Sequence, residues 1–241
     1  MGLLTNGFKF FLLNQVKNST LHLAFGAGSV DWGTQTTHTV NIPQNRTIAL
    51  PHQFVAGVVL TKGAIVAVQG TPDDVRDFWI DASGGIATLS ANFGTVGDSV
   101  TFTYRYGTQE ENVNASSLIS ESCRKVIDIK HFVNERPGNA EEGTYDFVVK
   151  GVKYAISNTP TGLLYLKAVL EPHEFSTGII REQAIFAGPT LANNVPGGTK
   201  FLLPAQIATP GTLLKVDHMP PIVRNQLEQA SFQHILNVPL W

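Results

Sequence analysis

The stretch "SVTFTYRY", residues 99–106, decides the fold class, because apolar or aromatic side chains alternate with polar ones through it without a break. One face carries Val100, Phe102, Tyr104 and Tyr106, and the other carries Thr101, Thr103 and Arg105. This period of two predicts a half-buried antiparallel strand with a polar outer face. Just upstream, "IDASGGIATL", residues 80–89, predicts a strand, a glycine turn and the start of another strand. Neither stretch offers groups for catalysis, which indicates a chemically silent β module.

The same β pattern continues along most of the chain. In "LLYLKAVLEP", residues 163–172, alternate positions place Leu164, Leu166, Ala168 and Leu170 on one face. The chain contains 22 glycines and 13 prolines, and these bound most of the apolar runs, as in turn-rich all-β proteins. Residues 3–18 predict either one short amphipathic helix or an extended arm, and residues 223–236 fit a helix or a strand. The sequence therefore predicts an all-β, antiparallel β-sandwich-like core domain.

The composition favours a subunit of a larger assembly. Only 15% of the residues are charged, against about 25% in typical soluble domains. Charge is depleted at the centres of protein interfaces, so we expect large contacts between subunits. A net charge of -2 gives no support for binding nucleic acid or an anionic membrane. No membrane span or signal peptide is evident at the start, so we expect synthesis in a cytoplasm. The N-glycosylation motifs in the sequence are then expected to be chance matches, because glycosylation requires secretion.

Several clusters of polar residues are candidates for chemistry. "EPHEF" places Glu171, His173 and Glu174 together, but a metal needs three or four convergent ligands, and a solvated loop is favoured. "TPDDVRDF", residues 71–78, could supply paired carboxylates or a Ca²⁺ site, but a type I turn at 72–73 explains it better. "FGAGSVDWG", residues 25–33, lacks the third glycine of a dinucleotide fingerprint. Cys123, the single cysteine, is expected to be a buried inert thiol.

Two long segments carry a resemblance. "LHLAFGAGSVDWGTQTTHTVNIP", residues 21–43, begins with an apolar strand, a Gly-x-Gly turn, a tryptophan and an extended segment containing proline. Residues 161–238 contain, in order, the runs "LYL", "IRE", "PAQ", "PGTLL" and "PIVR". Each motif is weak, but their order resembles that of tail and baseplate structural proteins, of the wedge type, in tailed bacteriophages. The resemblance implies an architectural component of the virion tail or baseplate, without catalysis, that binds other tail proteins and copies of itself.

The resemblance also implies a domain organisation. It falls on both sides of the silent module, so we expect an N-terminal arm at residues 1–20 and a core domain formed by 21–50 plus 108–241. The small β-sandwich module, residues 51–107, would be inserted between the two parts of that core. No enzyme activity, cofactor, metal, nucleic acid or membrane insertion is expected.

The interface candidates are apolar residues near the chain ends and two charged residues within an apolar strand. They are Phe8, Phe10, Phe11, Leu12, Trp32, Arg181, Glu182 and Trp241. Arg181 and Glu182 point to opposite faces of a strand, so one is expected against the interior or an interface, paired with an opposite charge or with carbonyl groups. The alternative function is a carbohydrate-binding adhesion module in which Trp32, Trp79 and Tyr106 stack on sugars. A cell-wall hydrolase is disfavoured because no convergent titratable groups are evident.

Overall fold

The fold is mostly β, with 51% of the residues in strands and one N-terminal helix, which confirms the all-β prediction. This computed structural model describes residues 6–29, 31–71, 76–82, 84–107, 112–176, 178–224 and 227–237. Helix α1 spans Asn6–Asn18. The first strands are β1 Leu21–Gly26, β2 Thr34–Asn41, β3 Thr47–Ala49, β4 Val55–Lys62, β5 Ile65–Val66, β6 Phe78–Asp81, β7 Ile86–Leu89 and β8 Ser99–Tyr106. The later strands are β9 Glu121–Val126, β10 Ile129–Arg136, β11 Phe147–Val149, β12 Val152–Ser157, β13 Leu163–Leu170, β14 Ile179–Ala187, β15 Thr190–Leu191, β16 Phe201–Leu202, β17 Ile207–Thr209, β18 Thr212–Val223 and β19 Ala230–Asn237.

Two five-stranded antiparallel sheets form the larger body, which we call the main sandwich. Sheet 1 has the order β16-β9-β1-β14-β18, and sheet 2 has the order β11-β12-β10-β13-β19. Apolar side chains from both sheets fill the space between them, including Leu23, Phe25, Cys123, Leu164, Leu166 and Phe232. All four residues on the predicted apolar face of β13 are buried here, which confirms that alternation.

Sheet 2 buries its other face as well. Its two edge strands, β11 and β19, lie beside each other, so the sheet curls into a nearly closed barrel. A second apolar cluster fills this barrel. Each strand of sheet 2 contributes at least one residue to it, and these include Val133, Val149, Tyr154, Tyr165 and Ile235. Sheet 2 therefore separates two cores, one inside the barrel and one against sheet 1.

The strands between Thr34 and Tyr106 form a second, smaller sandwich, which we call the β unit. One sheet has the order β2-β8-β4-β5 and the other has the order β3-β7-β6. Val100, Phe102 and Tyr104 of β8 are buried in its core, as their alternation predicts, together with Phe78, Ile80 and Leu89 from the facing sheet. The predicted fold of a sandwich-like core with a small inserted β-sandwich is thus what the structure has.

The pairing of strands places the start of the β unit before residue 51. Strand β2 pairs with β8 along its whole length, from Thr34 opposite Tyr106 to Asn41 opposite Ser99. Strand β3 pairs with β7 in the other sheet. In the described part of the chain, no strand of the β unit pairs with a strand of the main sandwich. Independent folding of the two bodies remains a prediction, and replacing only residues 51–107 would deprive β2 and β3 of their partners.

Helix α1 is anchored on the main sandwich rather than extended as an arm. Leu13 is completely buried in the core between the two sheets, and Val16 packs against the same core. The Lys9 ammonium donates to the Asn237 side-chain carbonyl at 3.0 Å, and Lys17 lies 4.4 Å from the centre of the Phe132 ring. Truncation of residues 1–18 would therefore expose part of the core. Among the described residues, no helix has the length and apolar character needed to span a membrane.

Candidate interaction sites

The β unit joins the main sandwich through two neighbouring segments. The outgoing segment follows β1 and is described at residues 27–29 and 31–33, and the returning segment leads into β9 and is described at residues 112–120. At the base of the β unit, Gly33 has a φ of 80°, and a Cβ there would overlap the carbonyl group of Tyr106. The chain thus enters and leaves the β unit at almost the same point, as expected for an insertion.

The returning segment is held by Glu182 of β14. Its carboxylate is completely buried and accepts hydrogen bonds from the backbone N–H groups of Ile119, at 3.0 Å, and Ser120, at 2.7 Å. The outgoing chain passes close by, because the Ala27 N–H donates to the Ser120 carbonyl at 3.0 Å. A Cβ on Gly26 would meet both the Glu182 carboxylate and that carbonyl, so glycine permits this close approach. Two charge-assisted bonds to backbone donors make this a strong attachment.

The outgoing segment is held by Arg181, the preceding residue of β14. Its guanidinium donates from Nη1 to the Ser29 carbonyl at 2.7 Å and lies 5.0 Å from the centre of the Trp32 ring. The His218 ring of β18 lies 4.6 Å from the same tryptophan, so Trp32 contacts both strands. Burial lowers the pKa of Arg181 from its usual value. Its Nε and Nη2 atoms have no hydrogen-bond partner among the described residues, so this attachment is less complete than that of Glu182.

Arg181 and Glu182 of β14 are both buried, whereas the sequence predicted that only one of them would be. Strand β14 is covered on both of its faces, since every residue from Ile180 to Phe186 is buried. Arg181 binds a carbonyl group, as expected, but Glu182 binds backbone amides rather than an opposite charge. Trp32 is only 4% exposed. Because these three side chains are enclosed by their own chain, any part they play at a subunit interface stays a prediction and would be indirect.

The three aromatic residues predicted to stack on sugars do not form a common platform. Trp32 is buried at the base of the β unit, so its predicted role in stacking is wrong. Trp79 lies half-buried on β6, in the three-stranded sheet. Tyr106 lies at the end of β8 in the other sheet, where its ring stacks on His52 with 3.7 Å between ring centroids. Trp32 is thus enclosed, and Trp79 and Tyr106 lie in different sheets of the β unit.

Helix α1 carries an exposed aromatic face opposite its anchor. Phe8 is 41% exposed and Phe11 is 56% exposed, and their spacing of three places them on one side of the helix. Phe10 and Leu12 are half-buried. Trp241, the remaining predicted interface residue, lies outside the described residues. Phe8 and Phe11 are thus the predicted candidates that offer their side chains at the surface.

The expectation of a solvated loop at "EPHEF" is wrong for Glu174. Its carboxylate is buried and accepts two hydrogen bonds from the Lys125 ammonium, at 2.6 and 2.7 Å, and a third from the Glu171 N–H. His173 is exposed. Sequence reasoning missed this pair because Lys125 lies in β9, far from Glu174 along the chain. Within the described residues, no group of three His, Cys, Asp or Glu side chains is arranged to hold a metal ion.

Other polar groups also have structural partners. The Asp77 carboxylate accepts a hydrogen bond from the Val68 N–H at 2.7 Å, while residues 72–75, where the type I turn was predicted, lie outside the described residues. Cys123 is fully buried, as predicted, and burial first, then the nearby carboxylates, raises the pKa of its thiol to about 12. These groups are therefore accounted for by packing and local hydrogen bonds.

A cleft of about 470 Å³ lies between β18 and β19 and is lined by Gln183, Asp217, His218 and His234. Asp217 lies 2.7 Å from the Lys215 ammonium and 3.3 Å from Nδ1 of His234. Burial alone would raise the pKa of Asp217, but His234 and Lys215 outweigh it and hold that pKa well below its usual range. The carboxylate is thus kept charged by its neighbours, which suits an ion-paired structural group better than a general acid.

Comparison with known proteins identifies a family. Residues 97–238, more than half of the chain, match the family model described as "Baseplate wedge 3 tail fiber network component". The match runs from the end of the β unit through the main sandwich after β1. A search of curated proteins gives no match to this chain.

Proposed function

Because the chain belongs to the baseplate wedge 3 tail fiber network component family, a group of phage baseplate structural components not known as enzymes, we propose that it assembles into the virion tail by binding other tail proteins and further copies of itself. It is made in the host cytoplasm and acts without a cofactor. The resemblance of residues 21–43 and 161–238 to wedge-type tail proteins agrees with this role.

The exposed aromatic face of α1 is the observation that carries the proposal. Leu13 fixes the helix to the core, while Phe8 and Phe11 present large aromatic surface to the outside. Aromatic residues are enriched at the centres of protein interfaces and contribute disproportionately to binding. An anchored helix also loses little conformational entropy on binding, which favours a stable contact. The partner is a neighbouring tail protein with an apolar surface.

The test is a phage that encodes Phe8→Ser together with Phe11→Ser. Both side chains are more than 40% exposed, so the double variant should cost the isolated chain less stability than Leu13→Ala, which empties a buried position. Loss of two aromatic anchors should nevertheless reduce incorporation into tails at least tenfold, since each anchor contributes about 2 kcal/mol or more. Incorporation is measured by quantitative mass spectrometry of purified particles.

Two control variants separate binding from folding. Leu13→Ala removes a buried anchor of the same helix and should cost about 2–5 kcal/mol of stability. Val113→Ser replaces an apolar residue of the returning segment that is 96% exposed, and should leave incorporation unchanged. If the double Phe variant enters tails as efficiently as the natural chain, the helix face is not the contact that the proposal requires.

A further inference from the structure

We infer that Arg181 and Trp32 form an enclosed binding site for one small anion, such as a halide or formate. Arg181 lies on β14 and Trp32 on the outgoing segment, and the guanidinium carbon lies 5.0 Å from the centre of the tryptophan ring. The His218 ring of β18 packs on the same tryptophan, at 4.6 Å between ring centroids. The site lies within one chain, so this inference goes beyond assembly and holds whether or not the helix face binds a neighbour.

The guanidinium of Arg181 uses only one of its three nitrogen atoms. Nη1 donates to the Ser29 carbonyl at 2.7 Å, whereas Nε and Nη2 are buried and have no hydrogen-bond partner among the described residues. These two nitrogens form one edge of the guanidinium, where two parallel N–H groups bind both oxygens of a carboxylate. Nε1 of Trp32 is also buried without an acceptor. The unused groups are all donors, so they fit an acceptor.

The charge of Arg181 favours an anion over a neutral acceptor. Its side chain is 3% exposed, and no carboxylate of the described residues pairs with it, so burial lowers its pKa without opposition. The neighbouring Glu182 directs its carboxylate to the N–H groups of Ile119 and Ser120 instead. Buried charges are normally paired, because burial removes the hydration that stabilises them. An anion at the Nε–Nη2 edge would supply the opposite charge.

Arg124 of β9 shows how the same fold satisfies a buried arginine. Its Nη1 donates to the Pro210 carbonyl at 2.8 Å, just as Nη1 of Arg181 donates to Ser29. Its Nε and Nη2 bind the two carboxylate oxygens of Glu121 at 2.7 and 2.8 Å. The corresponding edge of Arg181 has the same donors but no carboxylate. Because Arg181 and Trp32 are 3% and 4% exposed, the site admits only a small anion.

The experiment unfolds the full chain with urea while sodium chloride replaces sodium gluconate at constant ionic strength. An anion that binds only the folded chain lowers the unfolding equilibrium constant in proportion to its concentration above the dissociation constant. Each tenfold increase in chloride in that range should therefore lower the constant about tenfold, and formate should act in the same way. Gluconate is too large for an enclosed site and should have no such effect.

Arg181→Gln should abolish the difference between chloride and gluconate. Arg124→Gln is the matched control, because this buried arginine already has its carboxylate, so the variant should lose stability and keep the difference. If Arg181→Gln does not fold, crystals of the natural chain soaked in bromide should show an anomalous peak beside Nε and Nη2 of Arg181.

The inference is overturned if the natural chain is equally stable in chloride, formate and gluconate, since a neutral water molecule would then satisfy the donors. A salt effect that persists unchanged in Arg181→Gln, or bromide found only at exposed residues, would overturn it as well.

Discussion

The interior of the β unit is filled by apolar side chains and a tyrosine, whereas the main sandwich also encloses charged residues. Among the described residues, the buried charged side chains all belong to the main sandwich, namely Arg124, Lys125, Glu174, Arg181, Glu182 and Arg224. Most of these fix a connection between distant parts of the chain, such as β9 with the turn at Glu174 or β14 with the segments leading to the β unit. The β unit instead depends on hydrophobic burial and tight turns. The comparison teaches that the sensitivity to charge and to pH should be concentrated in the main sandwich.

The largest effect is expected from breaking the buried ion pair. Glu174→Ala would leave the Lys125 ammonium buried and unpaired, which typically costs about 3–5 kcal/mol. Hydrogen exchange monitored by mass spectrometry should show lost protection in β9 and its neighbours but not in β8. Phe102→Ala is the counterpart in the β unit, where loss of a fully buried ring should cost about 3–5 kcal/mol and deprotect β8 and its neighbours but not β9. If each variant deprotects both bodies equally, the two sandwiches unfold together and the comparison fails.

The contrast can be sharpened by removing both charges at once. Lys125→Met combined with Glu174→Leu leaves no unpaired charge, and replacement of a whole buried pair by apolar residues is often neutral or stabilising. This double variant should therefore recover most of the stability that Glu174→Ala loses, as measured by denaturant unfolding. If the double variant is no more stable than Glu174→Ala, the pair stabilises the fold by more than the mutual neutralisation of two buried charges.

A smaller effect is expected from acid, through His22 of β1. This histidine is 1% exposed, and burial first, then the charge of Arg124, lowers its pKa to about 4 from an ordinary value of 6.5. The unfolded chain therefore binds a proton at a higher pH than the folded one. Stability should be complete above pH 6.5 and fall as the pH decreases toward 4, by about 3 kcal/mol. Unfolding by denaturant at a series of pH values measures this loss.

His22→Gln should flatten the dependence of stability on pH in that range. His173→Gln, at an exposed histidine, is the control and should leave the dependence unchanged. Hydrogen exchange should locate the loss in the main sandwich, with the β unit unaffected. A dependence that persists at the same slope in His22→Gln would assign the titration to another group.

The smallest effect concerns a turn of the β unit. Gly63, between β4 and β5, has a φ of 57°, and a Cβ there would meet no atom within 4 Å. Gly63→Ala should thus cost only the strain of a left-handed backbone, about 1 kcal/mol, while Gly63→Asn should cost less because asparagine tolerates this conformation. Thermal unfolding of the two variants gives the difference. A cost for alanine well above that of a backbone effect would mean that the turn contacts something outside the chain.

Local alternation predicted much of the fold. The apolar faces of β8 and β13 are buried as expected, because period-two patterning directly reflects which side of a strand faces a core. Tyr165, on the opposite face of β13, is also buried, since sheet 2 closes into a barrel and encloses a second core. A strand buried on both faces departs from simple alternation, so this burial depended on a tertiary arrangement that the pattern alone did not reveal.

Pairings between distant segments were the part that local sequence could not supply. The local pattern predicts that the β unit starts at residue 51, whereas β2, from Thr34 onward, pairs with β8, a partner that lies far along the chain. Arg181 and Glu182 stood out because charges interrupt an apolar strand. Their partners at Ser29, Ile119 and Ser120 are remote in sequence, and the burial of β14 on both faces depends on elements from other parts of the chain.

The most direct test of the two-sandwich account is to delete the β unit along its observed boundary. A short Gly/Ser linker would join Gly33 to Gly107, replacing residues 34–106, and hydrogen exchange would be measured across the remaining strands. The account predicts that β1, β9, β14 and β13 keep the protection they have in the whole chain, and that unfolding keeps its dependence on pH between 6.5 and 4. A main sandwich that loses protection throughout, or that fails to fold, would contradict the account.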